Sequence, residues 1–140
     1  MEVSPGRIFI GRFGFTADLL VMLTQVCNRK HITMGVFSVI GALERVKLGY
    51  YSQEKKCYVE CVSLDKKLEI ASCLGNISLV DSKIFVHAHI TLADHKGTCY
   101  GGHLLEGSSI FAAEYYIREL CGSQLERKYD SQTGLNLWPI

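Results

Sequence analysis

Helical periodicity is clearest in one stretch of this chain, where Leu19, Leu20, Leu23, Val26 and Cys27 recur at the spacing of a single helix face. Thr16 is the expected N-cap, Asp18 falls in the first turn, and Arg29 and Lys30 meet the negative end of the helix dipole. His31, just beyond, reads as a solvated partner of that dipole. Before the helix, the turn residues Pro5 and Gly6 introduce a first strand over residues 7–12.

After the helix the pattern changes to short apolar runs and period-two alternation. Residues 36–40, 45–50, 55–62 and 68–73 each predict a strand, bent near Gly35, Gly41 and Gly49 and joined in part by the polar connection Leu64-Asp65-Lys66-Lys67. Gly75-Asn76-Ile77-Ser78 predicts a break that redirects the chain. In the next strand Ile84, Val86, Ala88, Ile90 and Leu92 share one face, while Phe85, His87, His89 and Thr91 share the other. Asp94-His95-Lys96-Gly97 is a polar turn with His95 at its solvent-facing tip, and Thr98-Cys99-Tyr100 begins the return strand.

The register of this hairpin decides its chemistry. If paired residue numbers sum to 192, His103 faces His89 on the same side with Cβ atoms about 5 Å apart; a sum of 191 turns it away, unless Gly101-Gly102 supplies a correcting bulge. Residues 108–120 are ambiguous: Ala112-Ala113-Glu114 and Ile117-Arg118-Glu119-Leu120 favour helix, whereas Phe111, Ala113, Tyr115 and Ile117 alternate as a strand. A strand over 125–129, a turn over 130–134 and a short strand over 135–138 end the chain. The whole reads as an α+β fold, one helix laid against a largely antiparallel sheet.

At 140 residues with 48% hydrophobic and 21% charged content, the chain is expected to form one domain, 1–140. Its net charge of +1 argues against non-specific holding of polyanions. Six cysteines contain no Cys-x-x-Cys pair, and Cys57 and Cys61 would sit about 13 Å apart along a strand. They read as mostly buried, reduced thiols of a cytoplasmic protein. Cys99, near the histidines, reads as a small core residue rather than a thiolate. The N-terminus has neither the basic start nor the apolar run of a signal peptide, and no segment reaches membrane-spanning length. No Gly-x-Gly-x-x-Gly lies between a strand and a helix, so dinucleotide binding is not expected, and no serine or cysteine sits in an activating context.

Three imidazoles brought together by the hairpin are first of all a metal site. Gly101, Gly102 and Gly107 leave space beside His103, and Asp94, Glu106 and Glu69 are the carboxylates that can orient an imidazole or act on a ligand there. Glu69 reads equally well as half of a surface ion pair.

Several motifs in order carry a family resemblance: Ile40-Gly41-Ala42-Leu43, Leu48-Gly49-Tyr50-Tyr51, Leu68-Glu69-Ile70, Gly75-Asn76-Ile77-Ser78, His87-x-His89, Asp94, residues 101–107 and Leu125-Glu126-Arg127-Lys128. Nearly the whole chain resembles the PPC domain, also called the domain of unknown function 296, in its stand-alone prokaryotic form. The resemblance implies an α+β fold with a mostly antiparallel sheet and one main helix, a homotrimer, and a strand over 108–120. It also implies a metal site at His87, His89 and His103. Zinc suits three neutral imidazoles with an open fourth position, although ligand type alone leaves copper, nickel and iron open. In plants the domain follows AT-hook segments in DNA-binding proteins, but no Arg-Gly-Arg-Pro hook is present here, so that function transfers poorly. Two classes of function follow: a metal-binding trimer whose open position serves a small molecule or a metal-assisted reaction, or a DNA-binding or regulatory oligomerisation module. A third, a trimer that scaffolds another protein, has no sequence feature of its own.

Overall fold

The stretch with helical periodicity forms α1 (Leu19–Lys30), the only α-helix among residues 1–139, which are those the computed structural model describes. Its N-cap is Asp18 rather than Thr16. The Asp18 carboxylate accepts from the Val21 amide at 2.9 Å, a cap that contributes about 1 kcal/mol. Thr16 instead takes a left-handed φ of 64°, with its amide committed to the Ile110 carbonyl. Asp18 also accepts from the amides of Gly107 and Ser108, so one carboxylate ties the helix start to a distant loop. His31 closes the helix in the left-handed conformation and is exposed.

The remaining elements are strands: β1 (Ser4–Phe13), β2 (Gly35–Leu43), β3 (Val46–Ser52), β4 (Cys57–Leu64), β5 (Leu68–Val80), β6 (Lys83–Ala93), β7 (Cys99–Leu104) and β8 (Ile110–Cys121). They form one antiparallel sheet in the order β1-β8-β2-β5-β6-β7-β3-β4, and β9 (Lys128–Asp130) with β10 (Leu135–Leu137) forms a separate ribbon. The α+β class, the single main helix and the mostly antiparallel sheet are as expected.

Four local expectations are corrected. Pro5 and Gly6 belong to β1, where an edge position and a register shift between Pro5 and Ile8 accommodate the missing proline N–H. Gly75-Asn76-Ile77-Ser78 does not break the chain but lies inside the 13-residue β5. Glycine is required at 75 by close approach, since a Cβ there would lie 2.2 Å from the His87 carbonyl oxygen and 2.3 Å from the Phe37 ring. At the C-terminus Leu125, Glu126 and Arg127 precede β9, because their backbone is drawn to β5 through the Leu79 amide to Leu125 carbonyl and Arg127 amide to Leu79 carbonyl bonds. Only Cys27 and Cys73 are buried; Cys57, Cys61, Cys99 and Cys121 are exposed, and all six are free. They lie on an edge strand, at strand ends or beside turns, where apolar sequence neighbours do not guarantee cover.

The ambiguous segment 108–120 resolves as strand from Ile110 onward. β8 lies between β1 and β2, and Ile110, Ala113 and Ile117 enter the core, so burial overrides a helical preference worth only tenths of a kcal/mol per residue. Helix α1 packs over β6 with Leu19, Leu23, Val26 and Cys27 against sheet residues such as Val39, Ile90 and Leu92. Each fully buried leucine there contributes about 1.5–3 kcal/mol.

The opposite face has no helix. One row of cross-strand partners crosses it, Ile10, Tyr116, Ser38, Leu74, His89 and His103, and Ile10 and Leu74 are 78% and 61% exposed. An open, largely apolar sheet face thus runs directly into the histidines.

Candidate metal centre

Strand β6 alternates as its sequence requires. Val86, Ala88, Ile90 and Leu92 are buried beneath α1, which forces Phe85, His87, His89 and Thr91 to the open face. β6 and β7 pair with His89 opposite His103, Ile90 opposite Gly102 and Thr91 opposite Gly101, so paired numbers sum to 192 without interruption. No bulge at Gly101-Gly102 is needed.

This register brings His87, His89 and His103 together. Ring centroids are 5.0 Å apart for His87–His89, 5.0 Å for His87–His103 and 5.5 Å for His89–His103. One nitrogen from each lies within 4.8 Å of the others. A tetrahedral ion with bonds near 2.0–2.1 Å separates its nitrogen ligands by about 3.3 Å, so the ring nitrogens would have to close by at most about 1.5 Å to reach that spacing. His87 Nε2 and His103 Nδ1 are buried with no hydrogen-bond partner, which is the condition of a ligand atom rather than of a satisfied polar group.

The electrostatics agree. Burial, then the neighbouring His89 and Arg127, pushes the His87 imidazole down to about 4; burial, then His87 and His89, does the same at His103. Both rings are therefore neutral at pH 7, the form that binds a metal ion. Tyr58 of β4 stacks on His103 at 4.1 Å between centroids and fixes the plane of that ring.

The three carboxylates do not join the cluster. Asp94 is held by the Lys66 ammonium at 3.0 Å and by the amides of Lys96 and Thr98, contacts that keep its carboxyl well below the usual range. It organises the β6–β7 turn, with Gly97 at a φ of +80°. Glu69 is exposed and pairs with Ala93 at the far end of β6, and Glu106 is exposed in the loop after β7. Neither bonds an imidazole among the described residues. The glycines divide as well. Gly101 is on the histidine face, where an added Cβ would come no closer than 3.4 Å, whereas Gly102 is on the core face and a Cβ there would meet the Gly49 carbonyl at 2.9 Å. Gly107 needs its φ of +100° to enter the loop that Asp18 binds. Cys99 is exposed at the turn rather than in the core.

Three residues beside the histidines carry no role in the sequence reading: Tyr58, Asn76 and Arg127. Asn76 is the cross-strand partner of His87, and its side-chain oxygen accepts from Arg127 at 2.8 Å. Asn76 and Arg127 fall in motifs of the family resemblance, but nothing local places any of the three beside the histidines, because β4, β5 and the C-terminal segment converge only through the tertiary fold.

Comparison with known proteins places the fold. The family model of the Plants and Prokaryotes Conserved (PCC) domain matches residues 1–121. The X-ray structure of a metal-containing protein from Archaeoglobus fulgidus is 40% identical, superposes with a TM-score of 0.92, and is matched over 99% of this chain and 97% of that one. A plant- and prokaryote-conserved protein of Pyrococcus horikoshii is 37% identical with a TM-score of 0.93, over 99% and 95% of the two chains. A candidate DNA-binding protein of Bacteroides thetaiotaomicron, 24% identical with a TM-score of 0.87 over 98% and 96%, shares the fold. The bifunctional protein GlmU of a Synechococcus strain is 28% identical over 100% of this chain, which spans about a fifth (21%) of its length.

Proposed function

The chain belongs to the Plants and Prokaryotes Conserved (PCC) domain family, and on that premise we propose that residues 1–140 form one homotrimeric metal-binding domain whose three-histidine site serves a small-molecule ligand. His87, His89 and His103 hold the ion, zinc being the one that three neutral imidazoles suit best. When bound, such an ion supplies Lewis acidity at a coordination position that the protein leaves open. The chain's own contribution is to keep two of the imidazoles unprotonated by burial, to hold His103 flat against Tyr58, and to leave room at Gly101.

One observation carries the proposal: two buried imidazole nitrogens, His87 Nε2 and His103 Nδ1, lack any partner within a cluster of three histidines. The similar Archaeoglobus protein is described as metal-containing, which supports it. Cobalt(II) loading is the test. Visible d–d bands of a four-coordinate ion that change when azide is added are expected; bands indifferent to azide would deny an open position.

The exposed row containing Ile10 and Leu74 supports the trimer, because an apolar sheet face of this extent is normally covered by other subunits. The description of the Bacteroides protein motivates a DNA-binding alternative. The net charge of +1 gives it little electrostatic support, and a salt-dependent mobility shift with duplex DNA would favour it.

A further inference from the structure

The C-terminal segment lays a cation over the histidine face. Arg127 is only 9% exposed, and its guanidinium donates to Ser78 Oγ at 2.8 Å, Asn76 Oδ1 at 2.8 Å and the Asn136 carbonyl at 3.1 Å. It lies over the rings of Phe85 and Trp138, 5.3 and 5.1 Å from their centroids. All these partners are neutral. Among the described residues no carboxylate pairs with it, whereas Arg7, Arg45, Lys47 and Lys66 each have one. A buried guanidinium without a counter-charge is costly, and its three bonds among the described residues use three of its five N–H groups.

The same residue lines a cleft of about 280 Å³ with Tyr51, Lys56, Tyr58, Phe85 and His87, closed by residues 134–137. No Asp or Glu lines it. Lys56, whose ammonium donates to the Ser131 carbonyl, is its second cation. His87 belongs both to this wall and to the three-histidine cluster, so the cleft and the metal centre share a side chain.

We propose that this cleft binds a small organic carboxylate, its charged end on Arg127 and its apolar body against Phe85, Tyr51 and Tyr58. One buried, planar guanidinium matches a planar monoanion, while the aromatic walls favour a ligand with an apolar body over inorganic phosphate. The inference deepens the metal-site reading and rests on it for the ligand's position beside the ion, but not for the ligand's charge.

Calorimetric titration with benzoate, its neutral isostere benzamide and inorganic phosphate, on zinc-loaded and metal-free protein, tests this directly. Benzoate is expected to bind at least tenfold more tightly than benzamide or phosphate, and Arg127→Met to weaken benzoate at least tenfold. His95→Ala, at the exposed β6–β7 turn outside the cleft, should retain Arg127-dependent binding. Because Arg127 also anchors the C-terminal segment, Arg127→Lys, which keeps the charge, and the shift of the Arg127 Nε–H resonance during benzoate titration of the wild type serve as second measurements. Equal binding of benzoate and benzamide, tighter binding of phosphate, or no binding to either form would overturn the inference. Protein that takes up no zinc yet binds benzoate through Arg127 would uphold it while removing the metal-site reading; protein that binds zinc but no benzoate would do the reverse.

Discussion

His89 and His103 are direct cross-strand partners on β6 and β7, with ring centroids 5.5 Å apart and planes 80° from parallel. Two of the three clustered imidazoles are thus placed by sheet register, and His87, two residues along the same strand face, brings the third. Zinc at about 100 times its dissociation constant should stabilise the fold by about 2.7 kcal/mol, since the unfolded chain has no such site. Thermal melts should show this increase reversed by chelator and largely lost in His103→Ala, while His95→Ala at the exposed turn keeps it. Equal zinc stabilisation of His103→Ala would place the ion elsewhere.

In the metal-free protein the same burial creates an acid sensitivity. The unfolded imidazoles of His87 and His103 titrate near the ordinary 6.5, whereas in the fold both are pushed down to about 4. Between these values the unfolded chain binds more protons, so stability rises with pH through the window and falls on acidification from 6.5 toward 4. Melting temperatures of metal-free wild type should drop across that window, with a shallower drop in a His87→Ala/His103→Ala double variant. A wild-type profile no steeper than the double variant's would contradict the burial of these rings.

Gly75→Ala should cost about 1–3 kcal/mol, because the new methyl collides with the His87 carbonyl oxygen and the Phe37 ring, both fixed by packing. Gly101→Ala, whose Cβ would find its first neighbour at 3.4 Å, should be close to neutral for stability. Urea midpoints of the two variants check the contrast; equal effects would refute it.

The open face gives a prediction about assembly. Ile40→Glu and Leu74→Glu replace side chains that are 60% and 61% exposed on that face, so folding should survive in both. Sedimentation of the wild type should give three times the 15.7 kDa chain mass, with both variants shifted toward the single-chain mass. Wild type sedimenting as one chain would rule out the trimer.

What could be read from sequence was whatever depends on local period. Alternation alone put His87 and His89 opposite Val86, Ala88 and Ile90, and helical spacing located the buried face of α1. The hairpin register could be narrowed only to two choices, because turn chemistry at Asp94–Gly97 does not by itself count paired residues; the uninterrupted ladder decides it. Gly75 was misread because a glycine required for close approach to Phe37 looks in sequence like one required for a turn. Asp94 is near the histidines in number but lies past the far end of β6, where it serves the turn, and Glu69 on β5 faces Ala93 at that same far end. Arg127 stood in a motif of the family resemblance and Tyr58 in a predicted strand, but neither could be placed at the site, since strand order and the return of the C-terminal segment bring them there from distant positions.

Elemental analysis of purified wild-type protein, dialysed without chelator beside His87→Ala and His103→Ala, tests the three-histidine site most directly. About one zinc per chain is expected in the wild type, with its loss from both variants while each remains folded. Wild type without metal after reloading, or variants that keep a full equivalent, would contradict it.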